Sequence, residues 1–399
     1  MNFIKNLRKY WYYYLPVLIW IVHLTIIFFF LPAVPIKDER TFYNVAISFK
    51  NVDLKGLINL LKNYNAPQTP LSFIIGGLLL KINNTIIILR VFNSIFILTS
   101  LIFFCKSIDY FKISSFKYSL LLVITLLLNP YFHFAAVTFY TDGLYLLFIS
   151  LSAFLIISNK ENILLFISFF LLLLTRQFGV FLLAGYFTSK IDLHFPFLNK
   201  KAIYTLLTFL GLILMVLLWK NIMPNNNFKE MMSVIRQRYG YILPYIPAYI
   251  FSAVGFYLSP LYLFFIHKVL KKRIFYIGGF ITSLFYLTFP VHQNFTNKLF
   301  QNNVTTLGFY HKSILAVLGN PTFNLALVLF AFISGGWIFV LFSSKRVPGT
   351  FKSIIAFYFA MNFFNIQAWD KYIIDIEIIL ILAIIYFVED FIKRPKTIS

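Results

Sequence analysis

The stretch WYYYLPVLIWIVHLTIIFFFLPAVPIKDER, residues 11–40, decides the class of fold. It contains no Asp, Glu, Lys or Arg before Lys37, and then four charged residues follow in a row. About 20 apolar residues are enough for a helix to cross a bilayer. The sequence therefore predicts a first membrane span over residues 12–32, followed by a polar loop that opens with Asp38 and Glu39.

The same apolar character extends along the chain. Of its 399 residues, 60% are hydrophobic and 12% are charged, and the mean hydropathy is +0.81. A typical soluble domain carries about 25% charged residues, so this composition excludes an ordinary soluble protein. In a membrane protein, the net charge of +22 indicates cytoplasmic anchoring and contact with lipid phosphates. We therefore expect a lipid bilayer, and no nucleic acid, as the partner of the basic residues.

Further apolar runs predict the other membrane spans. They lie near residues 86–105, 118–138, 143–158, 163–176, 177–189, 203–222, 244–266, 274–290, 322–342, 351–367 and 372–388. Residues 70–82 are too short to span comfortably and predict a helix at the membrane interface. The predicted fold is an all-α polytopic membrane protein with about 12 transmembrane helices. One integral domain over residues 1–399 is expected, with no separate soluble domain.

Lys and Arg in short loops predict the orientation. Segments on the N-terminal side, such as MNFIKNLRK, HKVLKKR and KRPK, are rich in them, so both termini are expected to be cytoplasmic. The opposite side would be the periplasm, the cell exterior or the lumen of the endoplasmic reticulum. Asp38, Asp142, Arg176 and Asp370 all fall at predicted helix ends on that outer side, which predicts a site there.

Asp38 and Glu39 are the first candidates for chemistry. Adjacent side chains on a helix point about 100° apart, so both carboxylates would not act on one atom. One can be catalytic while its neighbour is structural, and we predict Asp38 as the general base. The alternative is a solvated pair balanced by Lys37 and Arg40.

Arg176 and Gln177 interrupt the apolar run LLLLTRQFGVFLL, residues 171–183. An Arg inside so apolar a run marks a functional site by default, and a guanidinium suits a phosphate. Snorkelling to the interface is the alternative. Further predicted phosphate-binding residues are Lys371, at the start of the last span, and Arg236 and Arg238, in an outer loop.

The remaining polar candidates are uncharged residues, and acids at the ends of predicted spans or inside the last one. Asp142, in VTFYTDGLYLLF (137–148), suits either a helix cap or a functional carboxylate. NYNAPQTPLSF (63–73) suits a simple loop-to-helix junction, or Tyr64 and Gln68 within it line a site, as we predict. Asp375 and Glu377, inside the last span, are expected to pair with Lys or Arg. No spacing of His residues predicts a metal site.

These stretches resemble the GT-C integral-membrane glycosyltransferases, which use polyprenyl-phosphate-linked sugars. KDERTFYNVA and APQTPLSF match an outward first loop with an acidic start, short interfacial helices and a proline-containing approach to the next helix. FYTDGLYLLF and LTRQFGVFLL are similar to segments of the dolichyl-phosphate-glucose α-1,2-glucosyltransferases. AWDKY, residues 368–372, resembles the charged and aromatic start of a late helix in other GT-C enzymes.

The resemblance implies that a hexose such as glucose moves from a polyprenyl-phosphate donor to a hydroxyl of a lipid-linked or envelope glycan. Inversion at the anomeric carbon is implied, with Asp38 as base and Glu39, Asp142 and Gln177 contacting sugar or acceptor. The leaving phosphate needs positive charge or a divalent metal to stabilise it, and no other cofactor is predicted. A monomer is expected, in the plasma or inner membrane or the endoplasmic reticulum.

Two other classes compete with this reading. A transporter or flippase for a lipid-linked or anionic solute would also place charges in the membrane. A non-catalytic assembly subunit of a cell-envelope complex would use the polar marks only as anchors.

Overall fold

The computed structural model describes residues 10–36, 38–64, 66, 68–113, 116–191, 200–220, 241–290, 308–365 and 370–393. All regular structure within these ranges is helical, which confirms the all-α prediction. The chain forms two compact units, one of residues 1–112 and 131–233 and the other of residues 113–130 and 234–399. The predicted organisation as one integral domain stays a prediction.

The first unit begins with a long apolar helix. In chain order its helices are α1 (Trp11–Thr25), which continues as a π-helical turn (Ile26–Phe30), α2 (Glu39–Lys50), α3 (Leu54–Lys62), α4 (Leu71–Ile82) and α5 (Ile86–Tyr110). After a segment that belongs to the second unit come α7 (Pro130–Val137), α8 (Asp142–Ile157), α9 (Ile163–Thr175), α10 (Val180–Lys190) and α11 (Lys200–Trp219).

The short helices of the first loop pack tightly on one another. A Cβ placed on Gly77 of α4 would lie 2.6 Å from the Cβ of Phe49 and 2.9 Å from the carbonyl oxygen of Ala46, both on α2. Glycine therefore permits the close crossing of α2 and α4. The helix predicted over residues 70–82 is present as α4, and its position at a membrane interface stays a prediction.

The second unit contains several broken helices. Its elements are α6 (Phe116–Leu127), α12 (Tyr245–Tyr257), α13 (Ser259–Phe264), α14 (Arg273–Thr288), α15 (Phe309–Ser343), α16 (Gly349–Asn362) and α17 (Ile374–Lys393). The continuous helices predicted over 118–138 and 244–266 are each two helices, because Pro130 and Pro260 start new ones. In α15, Gly319 has a φ of 71° and marks a kink, a conformation that favours glycine.

Three helices in the described ranges are long and apolar enough to cross a membrane: Trp11–Phe30, Ile86–Tyr110 and Thr322–Ser343. A fourth is reached when Phe116–Leu127 and Pro130–Val137 are taken together as one broken span. Shorter apolar helices occupy most of the other predicted spans. The sequence thus predicted an all-α chain with membrane-capable helices correctly, whereas the count of about twelve spans stays a prediction.

Candidate functional site

A buried ion pair joins the start of α2 to α5. Arg90 donates from Nε to Glu39 Oε1 at 2.9 Å and from Nη2 to Glu39 Oε2 at 2.6 Å, and both side chains are fully buried. The same carboxylate accepts the backbone N–H groups of Phe139, at 2.8 Å, and Ile36, at 3.0 Å. A buried carboxylate is tolerated when it is paired and hydrogen-bonded in this way. Glu39 is therefore a structural group, and its predicted contact with an acceptor stays a prediction.

Arg90 also fixes the chain between α1 and α2. Its Nη1 donates to the carbonyl oxygen of Pro32 at 2.6 Å, and its Nη2 to that of Val34 at 3.1 Å. The sequence analysis missed Arg90, although it stands in the apolar run IIILRVF. The signal that singled out Arg176, an Arg among apolar residues, would have found it as well.

Asn93, one helical turn after Arg90, holds the segment before α8. Its Nδ2 lies 3.1 Å from the carbonyl oxygen of Ala135, 2.7 Å from that of Thr138 and 3.1 Å from that of Tyr140. A Cβ at Gly143 would come within 2.8 Å of Asn93 Oδ1. One face of α5 thus positions both the start of α2 and the chain that leads to Asp142.

Asp38 is exposed, and within the described ranges no hydrogen bond or ion pair engages its carboxylate. Tyr140 lies close by, because its ring centroid is 4.7 Å from that of Phe42, one helical turn along α2 from Asp38. Burial raises the pKa of the Tyr140 hydroxyl, and the charges of Asp38, Asp142 and Glu39 raise it further. Tyr140 precedes Asp142 by two residues and contacts the helix that begins beside Asp38, which brings Asp38 and Asp142 into one neighbourhood.

Asp142 and Arg176 form the second ion pair of this neighbourhood. Arg176 Nη1 donates to Asp142 Oδ1 at 2.5 Å, and the two side chains are 13% and 4% exposed, so the charge of Arg176 is met by Asp142 more than by solvent. The guanidinium carbon also lies 5.0 Å from the ring centroid of Tyr145, a cation–π distance. Thr141 makes no side-chain cap, and Asp142 in the first turn of α8 complements the helix dipole.

The other sugar-contact candidates flank this pair. Gln177 follows Arg176 in a 3₁₀ turn (Gln177–Gly179) and is half-buried. Thr69 donates its hydroxyl to the carbonyl oxygen of Leu173, at 2.8 Å, and so fixes the residues around Gln68 against the end of α9. Tyr64 is buried and stacks on Trp219, with ring centroids 5.9 Å apart and an interplanar angle of 13°.

Lys371 belongs to the second unit, where it is half-buried in a 3₁₀ turn (Asp370–Ile373). Its neighbour Asp370 is buried and accepts the Tyr257 hydroxyl and the Tyr310 backbone N–H, each at 2.6 Å. Asp370 thereby holds the start of α15 against α12. Arg236 and Arg238, the other two predicted phosphate-binding cations, lie outside the described residues.

A further polar contact lies inside the second unit. Asn129, directly after α6, donates from Nδ2 to Glu377 Oε2 at 2.7 Å, and Glu377 is completely buried. The expected partner of Glu377 was Lys or Arg, but the observed partner is an amide at a helix break. An amide donor satisfies one carboxyl oxygen without burying a second charge.

No group of three or more His, Cys, Asp or Glu side chains that could hold a metal occurs in the described part of the chain. The helices and buried polar contacts define the class as an all-α protein with helices able to span a membrane. Comparisons with protein-family models, with curated proteins and with solved structures found no match to this chain.

Proposed function

We propose that the chain is a GT-C-type membrane glycosyltransferase with about twelve spans and an active site on the outer side. It would transfer a hexose, such as glucose, from a polyprenyl phosphate to a hydroxyl of a lipid-linked or envelope glycan. The observation that carries the proposal is an exposed carboxylate, Asp38, at the start of the helix that contacts Tyr140, two residues before the Asp142–Arg176 pair.

The chemistry needs a base on the acceptor and charge stabilisation on the donor. Asp38 removes the proton of the acceptor hydroxyl as its oxygen attacks the anomeric carbon. The bond from that carbon to the phosphate oxygen breaks on the opposite side, and the lipid phosphate leaves with the electron pair. A single displacement of this kind inverts the anomeric configuration.

Arg176 would stabilise the negative charge that develops on the leaving phosphate. Asp142 holds the guanidinium in place through Nη1, and with Gln177 it would orient the sugar hydroxyls. Lys371, Arg236 and Arg238 remain proposed contributors of positive charge.

The test uses purified protein in nanodiscs with radiolabelled polyprenyl-phosphate hexoses and a panel of glycan acceptors. Transfer by the wild type is expected, and Asp38→Asn should lower it by about 100-fold or more at unchanged expression, the scale of general base catalysis. Asp53→Asn is the matched control. Asp53 accepts the Gly56 N–H at 2.7 Å at the start of α3, and Asn caps a helix as well as Asp does.

A transporter or flippase is the second candidate. The completely buried Glu377 and its contact with Asn129 at a helix break favour it, since intramembrane carboxyls and broken helices often mark transport pathways. Reconstituted vesicles distinguish the classes, because uptake or flipping without transfer supports the transporter. If the wild type shows no transport, and no sugar transfer with any combination of donor and acceptor, the result would support the assembly subunit.

A further inference from the structure

Three buried polar atoms without a hydrogen-bond partner among the described residues lie within one short stretch. They are Tyr64 Oη, Gln68 Oε1 and Ser72 Oγ. We call the described residues 64, 66 and 68–72 the α3–α4 segment. Each such atom costs free energy, because it has lost its hydrogen bonds to water without replacing them.

A backbone acceptor is available to at least one hydroxyl of this segment. Thr69, in the same segment, donates its hydroxyl to the carbonyl oxygen of Leu173 at 2.8 Å. Burial also raises the pKa of the Tyr64 hydroxyl well above its usual value, so this group remains a neutral donor. Groups that are kept buried and unsatisfied are often reserved for a ligand, at a cost in stability.

The α3–α4 segment borders the proposed active site on two sides. The Thr69–Leu173 bond holds it against the end of α9, three residues before Arg176. On the other side, Phe73 stacks on Phe42 with ring centroids 5.6 Å apart, and Phe42 contacts Tyr140. The segment is therefore joined to the residues before Arg176 and, through Phe73 and Phe42, to the helix that begins beside Asp38.

The chemistry of the segment identifies the part of the ligand that it fits. Residues 64–72, YNAPQTPLS, contain no charged side chain, so the segment offers nothing to a phosphate. Two hydroxyls and an amide oxygen match the alternating donors and acceptors of a sugar. Gln68 is half-buried, so part of its side chain reaches the surface of the first unit.

We propose that Tyr64, Gln68 and Ser72 form a subsite for the hydroxyl groups of the transferred hexose, separate from the phosphate contact of Arg176. This inference rests on the proposed function and names the group that the site recognises. In this arrangement the α3–α4 segment determines specificity for the sugar, and Arg176 provides affinity for the lipid phosphate.

The first experiment compares binding of a polyprenyl-phosphate hexose with binding of the bare polyprenyl phosphate in nanodiscs. Tyr64→Phe and Ser72→Ala each remove one oxygen. Each should reduce the affinity gained from the hexose by roughly threefold to tenfold, the loss of one hydrogen bond, without weakening binding of the bare lipid phosphate. Arg176→Ala should weaken both ligands together. An equal loss for both ligands in Tyr64→Phe and Ser72→Ala would overturn the subsite.

The second experiment needs no activity and separates this inference from the proposed function. In ligand-free protein, Tyr64→Phe and Ser72→Ala should leave the melting temperature unchanged or raise it, because they delete an unsatisfied group. Thr69→Val is the matched control and should lower it, because it breaks the bond to Leu173. If the two test variants lower the melting temperature as the control does, their hydroxyls have structural partners and the subsite is refuted, even in an active enzyme.

If the wild type transfers no sugar, the proposed function is rejected, but the subsite can still be tested. An alkyl glucoside in place of the donor then tests the subsite directly. Saturable stabilisation of the wild type that is reduced in Ser72→Ala would support a hexose subsite. Equal stabilisation of both proteins would reject it.

Discussion

Asp38 and Glu39 are adjacent in the chain, yet Asp38 is exposed whereas Glu39 is completely buried. Successive side chains at the start of α2 point in different directions. The Glu39 side chain points toward Arg90 and pairs with it. Burial of Glu39 anchors the helix, and exposure of Asp38 leaves its carboxylate open to solvent. The geometry therefore separates a structural carboxylate from an exposed one.

Loss of the Glu39 charge should destabilise the first unit strongly. Glu39→Gln would leave the guanidinium of Arg90 buried without a counter-charge, a change that typically costs about 3–5 kcal/mol. Thermal unfolding in nanodiscs should show a large fall in melting temperature. Replacing both residues by apolar ones should not restore stability, because the carbonyl oxygens of Pro32 and Val34 and the N–H groups of Phe139 and Ile36 would lose their partners.

The control for this prediction is an exposed ion pair in the second unit. Arg346 and Asp390 lie 2.6 Å apart, and both side chains are 55% exposed. Arg346→Ala should change stability by about 0–1 kcal/mol. An equal effect of the exposed and the buried substitutions would contradict the assigned role of Glu39.

Removal of Arg176 should weaken donor binding more than acceptor binding. Arg176→Ala removes charge-assisted hydrogen bonds, each worth about 1.5–3 kcal/mol, which corresponds to roughly tenfold to 100-fold in the donor Kd. Asp142→Asn removes the negative charge beside the guanidinium, so it should not weaken binding of the bare lipid phosphate. Equilibrium binding of the polyprenyl-phosphate hexose and of the bare polyprenyl phosphate to each variant measures the two effects, and binding of the acceptor is measured alongside. A donor Kd unchanged in Arg176→Ala would exclude the phosphate role.

His311 should make stability depend on pH in a defined window. It precedes the membrane-capable part of α15, its ring centroid lies 4.3 Å from that of Phe323, and burial lowers its pKa from 6.5 to about 4. As pH falls from about 6.5 to about 4, the unfolded chain binds a proton that the folded chain does not. The contribution of neutral His311 is therefore fully present above about pH 6.5 and lost progressively below it.

The measurement is the melting temperature of the wild type and of His311→Gln from neutral pH down to about pH 4. The difference between the two proteins should change in favour of the variant as the pH falls through this window. Parallel curves would show that His311 is not buried in its neutral form.

Loss of the contact between Asn129 and Glu377 should reduce the stability of the protein by more than the net contribution of one hydrogen bond. Asn129→Ala leaves a completely buried carboxyl group without its amide donor, at a cost of about 1–3 kcal/mol. The double variant Asn129→Ala with Glu377→Leu should recover part of this loss, because no orphaned carboxyl group remains. Chemical or thermal unfolding of both variants tests the coupling, and a double variant less stable than Asn129→Ala would contradict it.

Most helices could be predicted from hydropathy, because apolar runs and proline breaks are local properties of the chain. The same reasoning found Asp38, Asp142 and Arg176, since charges stand out in so apolar a sequence. It overlooked Arg90, although the same signal marks it, and Asn93, an uncharged residue of a long helix whose role shows only in its partners. It also expected Lys or Arg beside Glu377, where the structure has Asn129.

The sequence by itself determined that this chain is helical, largely apolar and marked by a few isolated charges. Only the tertiary structure decided which marks meet: Glu39 with Arg90, 51 positions away, and Glu377 with Asn129, 248 positions away. The physical reason is that hydropathy and helix periodicity act over a few turns. The partner of a buried charge is instead selected by packing between distant segments, where an unpaired charge would be too costly to keep.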